Sequence, residues 1–274
     1  MPMNRSFFAM LICFILCACK SNEKQKNSNQ ETALNNSLAT IIYSVVARHP
    51  HDTTSFTEGL LSHNGQLFES TGHTNQYESS KSMFGITDTS SGKINTKVEI
   101  DKNKYFGEGI AFLNGKIYQL TLDNKIGFTY DAAAFKKTGE FHYEGKGWAL
   151  TTDGTHLIMS DGSSNIVYRD PQTFHAVKTL NVSDNNGPVS NINEIEFING
   201  SVYANQWLTN YILKIDTANG KVEGRIDLSA LKAAAAAAYP GSEETNGIAF
   251  DSAANKIYVT GKMWPYIFEI KFDH

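Results

Sequence analysis

The stretch Ile110-Ala111-Phe112-Leu113-Asn114-Gly115-Lys116-Ile117-Tyr118-Gln119-Leu120 decides the fold. Polar and apolar residues alternate from Lys116 to Leu120, the period of a half-buried strand. Asn114-Gly115 tolerates the positive φ that a two-residue hairpin needs. The same punctuation recurs at Asn64-Gly65, Asp153-Gly154 and Asn199-Gly200. Working outward, the unit of strand, tight turn and second strand appears five times, starting near Leu60, Ile110, Leu150, Ile195 and Ile248. Each second strand carries an apolar pair, such as Leu67-Phe68, Ile117-Tyr118 or Ile257-Tyr258. The copies lie 50, 40, 45 and 53 residues apart, the period of a propeller blade rather than of a helical repeat.

A third strand in each of the first four copies ends in an Asp-led turn, at Asp88, Asp131, Asp170 and Asp216, and a fourth strand follows, as at Lys221–Ile226. The fifth copy stops after its third strand, Tyr266 to Phe272. The run Ile41-Ile42-Tyr43-Ser44-Val45-Val46-Ala47 has no copy before it. Pairing it as the outer strand of the last blade closes the ring and removes an open edge. The expectation is an all-β, five-bladed β-propeller over residues 39–274, closed by its N-terminal strand. Leu228 to Ala238, with six consecutive alanines, reads as a short helical surface spacer between blades 4 and 5.

The N-terminal residues read differently. Arg5 precedes an apolar run from Phe7 to Ala18, as in an export signal. The ending Leu16-Cys17-Ala18-Cys19 resembles a bacterial lipobox, so residues 1–19 are expected to be a lipoprotein-type signal with Cys19 as the lipidated residue. Residues 20–38, rich in Asn, Gln, Ser and charge, have the composition of a disordered tether. The mature protein is expected outside the cytoplasm, periplasmic or at the cell surface, and a monomer that meets the membrane only through its lipid. The chain has 274 residues, a net charge of −4 and three cysteines, at 13, 17 and 19. This composition disfavours general nucleic-acid binding, and after Lys20 it excludes disulfides, zinc–thiolate sites and a Cys nucleophile. No phosphate loop, paired metal-binding His or nucleophile elbow is present. Asp161-Gly162-Ser163-Ser164-Asn165 reads as a turn rather than a calcium loop.

In a propeller the starts of the first strands and the ends of the second strands surround one channel mouth. Those positions hold Phe56-Thr57-Glu58-Gly59, Phe106-Gly107-Glu108-Gly109, Gly147-Trp148, Asn193-Glu194 and Asn246-Gly247, then Leu122, Gly162-Ser163, Trp207 and Lys262-Met263-Trp264. Carboxyls, amides, a lysine and indole rings thus converge on one pocket. A channel-facing charge has a desolvation cost that calls for a partner.

These motifs, with Phe68-Glu69-Ser70-Thr71-Gly72, Tyr118-Gln119-Leu120-Thr121, Ser160-Asp161-Gly162, Ala204-Asn205-Gln206-Trp207 and Val259-Thr260-Gly261-Lys262-Met263-Trp264-Pro265, resemble in order the glutaminyl-peptide cyclotransferases of plants and bacteria. The resemblance spans about Ile41 to Ile270. It implies an acyltransferase that converts an N-terminal glutamine of a peptide or protein to pyroglutamate and releases ammonia, with no metal and no cofactor. It places catalytic groups at Glu108, Lys262 and Asn193, and substrate-binding groups at Phe56, Glu58, Phe106, Trp148 and Trp207. On that expectation Glu108 shuttles a proton, Lys262 and Asn193 donate to the developing oxyanion, the indoles wall the pocket and Glu58 anchors the substrate ammonium. Two positions depart from the family pattern: Glu58 where Gln is common, and Leu122 where Trp is common. The competing readings are a tethered, non-catalytic propeller that binds peptides or partners, and a calcium-dependent lactonase-type propeller.

Overall fold

A computed structural model describes residues 38–274. Cys19, the apolar run before it and tether residues 20–37 lie outside the described residues. Among the described residues, no helix is long and apolar enough to cross a membrane.

Five sheets form five blades. From inner to outer strand, blade 1 comprises Thr57–His63, Gln66–Thr71, Met83–Thr87 and Ile94–Glu99. Blade 2 comprises Gly107–Leu113, Lys116–Thr121, Ile126–Asp131 and Lys137–His142. Blade 3 comprises Leu150–Thr152, Leu157–Ser160, Asn165–Arg169 and Ala176–Asn181. Blade 4 comprises Ile192–Ile198, Ser201–Gln206, Tyr211–Asp216 and Val222–Asp227. Blade 5 comprises Thr245–Asp251, Lys256–Gly261, Tyr266–Lys271 and, from the other end of the chain, Ser44–Pro50. Neighbours within each blade are antiparallel.

The ring closes as expected, but with a different start. Ser44–Pro50, rather than 41–47, pairs with Tyr266–Lys271, from Ser44 opposite Lys271 to Pro50 opposite Tyr266. Ala39–Thr40 adds a parallel strand to the outer edge of blade 4, facing Gly224 and Arg225. Ile41 to Tyr43 cross between the two edges, and Ile41 and Tyr43 pack on the core between blades 4 and 5. An apolar run reads the same in sequence whether it pairs as a strand or buries its side chains while crossing.

The turns follow their chemistry. Asn64-Gly65, Asn114-Gly115 and Asn199-Gly200 have positive φ at both residues. Asp153-Gly154 is built otherwise: the Asp153 carboxylate accepts the N–H groups of Thr155 and His156, and only Gly154 is left-handed. In the Asp-led turns, each carboxylate accepts an N–H two residues on, and the chain reverses at a left-handed residue four residues on. That residue is Gly92, Phe135, Phe174 or Gly220. A short hairpin, Ser183–Asp184 with Gly187–Pro188, is inserted after blade 3. The alanine-rich helix spans Ser229–Ala238 and is more than a surface spacer. Leu231 and Ala235 are buried, together with Leu228 just before the helix, in the core shared by blades 4 and 5.

The inner strands need partners on their channel side, and buried carboxyls of blade 4 supply them. Glu194 accepts the N–H groups of Leu60 in blade 1 and Ile248 in blade 5, at 3.3 and 2.9 Å. Glu196 accepts the Thr151 hydroxyl of blade 3 at 2.7 Å and the Phe250 N–H of blade 5 at 3.0 Å. Two side chains thereby tie the inner edges of four blades across the axis.

Candidate active site

In blades 1, 2, 4 and 5 the pairing of the first two strands shifts register near the start of the inner strand. The shifts fall between Thr57 and Gly59, Gly107 and Ile110, Ile192 and Ile195, and Thr245 and Ile248. A bulge bends the strand and re-aims a side chain. The residues inside these four bulges include Glu58, Glu108, Asn193 and Asn246. The propeller's rotational repeat brings them to one mouth. Hydroxyls from the preceding blade hold two bulges in place: Ser70 donates to the Glu108 carbonyl and Ser160 to that of Asn193.

The mouth opens into a cavity of about 270 Å³ lined by Phe56, Glu58, Phe106, Glu108, Leu122, Lys146, Trp148, Asn193, Trp207 and Lys262. Every residue given a catalytic or substrate-binding role from sequence lines this cavity, but not every residue expected at the mouth does. Trp264 does not: it is fully buried, packs on Phe268 and donates its indole N–H to the Glu243 carbonyl. Glu194 is also absent from the cavity and serves the backbone as described above.

Two aromatic pairs meet edge to face. Phe56 and Phe106 lie 6.1 Å apart at 84°, and Trp148 and Trp207 lie 5.6 Å apart at 81°. Glycines admit two of these rings. A Cβ at Gly72 would come within 2.1 Å of the Phe106 ring, and one at Gly162, where φ is +82°, within 2.5 Å of Trp148. Trp148 Nε1 is buried and finds no acceptor among the described residues.

The charged groups lie beside the rings. Lys262 Nζ donates to Glu58 Oε1 at 2.8 Å and sits 4.4 Å from the centre of the Phe56 ring. Asn246 Nδ2 reaches the Thr57 carbonyl at 2.8 Å and Glu58 Oε2 at 3.2 Å. The Thr57 carbonyl can only accept, so Asn246 must turn its oxygen the other way. That oxygen takes the Nδ2 of Asn193 at 2.9 Å. The amide orientations are therefore fixed by a backbone group, and Asn193 keeps its own oxygen and one N–H for other partners. Both Glu58 oxygens are engaged within the protein. Lys262 takes one of them and Asn246 the other.

Burial raises Glu58 to about 7, and the attraction of Lys262 only partly offsets it. Glu108 is pushed well above the usual carboxyl range, chiefly by burial and then by the nearby Glu58. Burial alone would lower Lys262, but the Glu58 and Glu108 carboxylates outweigh it and the net shift is upward.

Sequence reasoning placed Asn246 at the mouth, where it stands at the same place in its copy as Glu58, Glu108 and Asn193, but gave it no role, and it missed Lys146. Lys146 lies in the loop before Trp148 and makes a 3.5 Å surface ion pair with Asp123; no motif marks it. A second cavity, of about 380 Å³, opens at the other end of the inner strands around His63, Phe112, Thr151 and Glu196. Its buried carboxyl is already engaged by blades 3 and 5. Among the described residues, no three His, Cys, Asp or Glu side chains are grouped to hold a metal ion.

The sequence profile of the glutamine cyclotransferase family matches residues 10–272. The chain belongs to this family. It is 39% identical over 230 residues to the glutaminyl-peptide cyclotransferase of Arabidopsis thaliana, covering 83% of this chain and 70% of the relative. It also matches the crystal structure of the Myxococcus xanthus glutaminyl cyclase with a TM-score of 0.77 and 33% identity, over 86% of this chain and 99% of that one. The five-bladed fold expected from the repeat thus agrees with a solved structure of the glutamine cyclotransferase family.

Proposed function

We propose that this protein is a glutaminyl-peptide cyclotransferase that closes the N-terminal glutamine of a peptide or protein to pyroglutamate and releases ammonia. One observation carries the reading: in a chain of this family, two buried carboxyls, a buried lysine and an oriented amide meet under aromatic walls in a single cavity.

The reaction moves the γ-acyl group from one nitrogen to another within the same residue. The α-amine nitrogen forms a bond to Cδ, the carbonyl oxygen gains negative charge, and the bond from Cδ to the amide nitrogen then breaks. The α-nitrogen must give up a proton and the departing nitrogen must gain one. Glu108, its pKa raised by burial, takes the first and returns it to the second. An ammonium has three N–H groups. Glu58 takes one from Lys262, leaving others for the carbonyl oxygen as charge develops on it. Trp148 Nε1 is a further unused donor beside the cavity. The free oxygen of Asn193 suits an N–H of the reacting glutamine. Phe56, Phe106, Trp148 and Trp207 exclude water and keep the side chain folded toward its own amine. We read these protein groups as sufficient, with no metal in the step. We propose that a single copy is the working unit.

Ammonia release and pyroglutamate formation from Gln-Ala and longer Gln-initiated peptides test the activity; a peptide-binding propeller releases none. We further propose export and lipid anchoring through Cys19. Cys19→Ser should then move the exported protein from the membrane to the soluble fraction.

A further inference from the structure

His51 lies between the closing strand and blade 1, and its side chain and that of Glu69 are fully enclosed. Both imidazole nitrogens face acceptors. Nδ1 is 2.7 Å from the Trp264 carbonyl, and Nε2 is 3.0 Å from each Glu69 oxygen. The carbonyl can only accept, so Nδ1 carries a proton. Glu69 already accepts the hydroxyls of Thr57 and Thr87, at 2.7 and 3.3 Å. A bare Nε2 against its oxygens would set lone pair against lone pair, so a second proton lies between the ring and the carboxyl. Burial by itself lowers the His51 pKa, but Glu69 and the Trp264 carbonyl outweigh it and the net shift is upward. Asp52, the other charged group acting on it, adds to the rise.

What this pair grips is the turn that carries Lys262. The Trp264 N–H closes the turn on the Gly261 carbonyl at 3.1 Å, and Met263 within it is left-handed, with φ 58°. Three contacts pin the turn to the segment His51–Ser55. His51 Nδ1 holds the Trp264 carbonyl, the His51 N–H holds that of Pro265 at 3.0 Å, and the Met263 N–H reaches the Ser55 carbonyl at 2.7 Å. The segment then runs directly into Glu58, the partner of Lys262.

We propose that His51 and Glu69 are positioning residues, whose shared proton locks the Gly261–Trp264 turn so that Lys262 stays against Glu58 and over the Phe56 ring. The inference rests on reading Lys262 as part of the cyclisation site. The pair joins the ring's seam to the chemistry, since Glu69 belongs to blade 1 and the turn to blade 5.

The first test uses the unaltered protein. Nitrogen NMR of the imidazoles should show both His51 nitrogens protonated at pH 7, persisting above about 6.5, where exposed histidines discharge. A neutral ring with a bare Nε2 at pH 7 overturns the proposal. The second test compares His51→Phe with Glu69→Gln, which removes the carboxylate that holds the second proton on the ring. Folded His51→Phe should lose about ten- to hundredfold in kcat, with KM little changed, and the pH limb set by Glu58 and Lys262 should move. Glu69→Gln should also lose turnover, though less, since a neutral ring can still donate its Nδ1–H to the Trp264 carbonyl. A folded His51→Phe protein with the parent's kcat, KM and pH profile also overturns the proposal, since a purely structural pair would shift only the melting temperature. If His51→Phe does not fold, the NMR result decides. If the unaltered protein releases no ammonia, the proposed activity fails. The His51 spectrum, and the Lys262 Nζ titration in His51→Phe, then judge the pair on their own.

Discussion

Glu108 has the most exposed consequences of any single residue here: among the described residues it makes no close ion pair, and the pull of Lys262 and Lys146 offsets its burial only in part. Glu108→Gln keeps the shape and removes the proton shuttle. Turnover of a Gln-initiated peptide should fall by about 10²–10⁴-fold with little change in KM, measured by steady-state ammonia release. Glu58 acts on Glu108 through space, and like-charge proximity is one cause of the raised Glu108 pKa. Glu58→Gln should therefore let Glu108 ionise at lower pH, and the corresponding limb of the pH–rate profile should shift acidward. Lys262→Met leaves the Glu58 carboxylate buried without its partner and should cost about 3–5 kcal/mol of stability in denaturant titrations. Adding Glu58→Gln should restore most of that stability but not the turnover, because the oxyanion donor is still missing. The family resemblance placed Glu108, Glu58, Asn193, Lys262 and the aromatic walls in one cavity, whereas their mutual bonds were not legible. Asn246 meets Glu58 across 188 residues of sequence, and a spacing says nothing about which way an amide faces.

Blades repeat because turns do. The Asn-Gly hairpins and Asp-led turns were readable, since each is a local bargain between a side chain and the next few N–H groups. The bulges were not: a register slip depends on what the neighbouring blade offers, and Ser70 and Ser160 lie a blade away from the bulges they hold. The left-handed Phe135 and Phe174 were equally hidden, because their conformation follows from the turn and from aromatic packing rather than from their own preference. The closing strand was legible as an orphan, though not where it began. It gives an element-level prediction. A chain started at Leu38 should melt like one with its natural N-terminal residues. A chain started at Asp52 should lose cooperative thermal unfolding, because the edge of Tyr266–Lys271 is then unpaired and the seam is open.

For the molecule as a whole, buried carboxyls make stability fall as pH rises. Glu58 and Glu196 move from 4.5 when unfolded to about 7 when folded, so the folded state binds more protons between those values. For Glu196 alone this amounts to about 3 kcal/mol lost by pH 8. His51 acts in the same direction. Its folded value is raised, so its stabilisation is complete below 6.5 and disappears as pH climbs through the folded value. At the acid end, Asp170 is held below its usual 3.8 by the backbone and hydroxyl of Thr173, and its contribution is lost as pH falls through that lowered value. Melting temperature should therefore peak on the mildly acidic side of neutrality and decline toward pH 8. Glu196→Gln should flatten the decline, because the neutral amide keeps an acceptor for Thr151 or Phe250 without the buried charge.

The seam has a further consequence for how the enzyme comes into being. Lys262 and Glu58 stand 204 residues apart, and His51 and Trp264 stand 213 apart, so residues made early must wait for partners made much later in synthesis. No prefix that ends before Lys262 contains a finished pocket. A ribosome that stalls, or a protease that trims the last blade, leaves a product with no turnover at all rather than a diminished one. Catalysis itself thus reports that the ring has been completed.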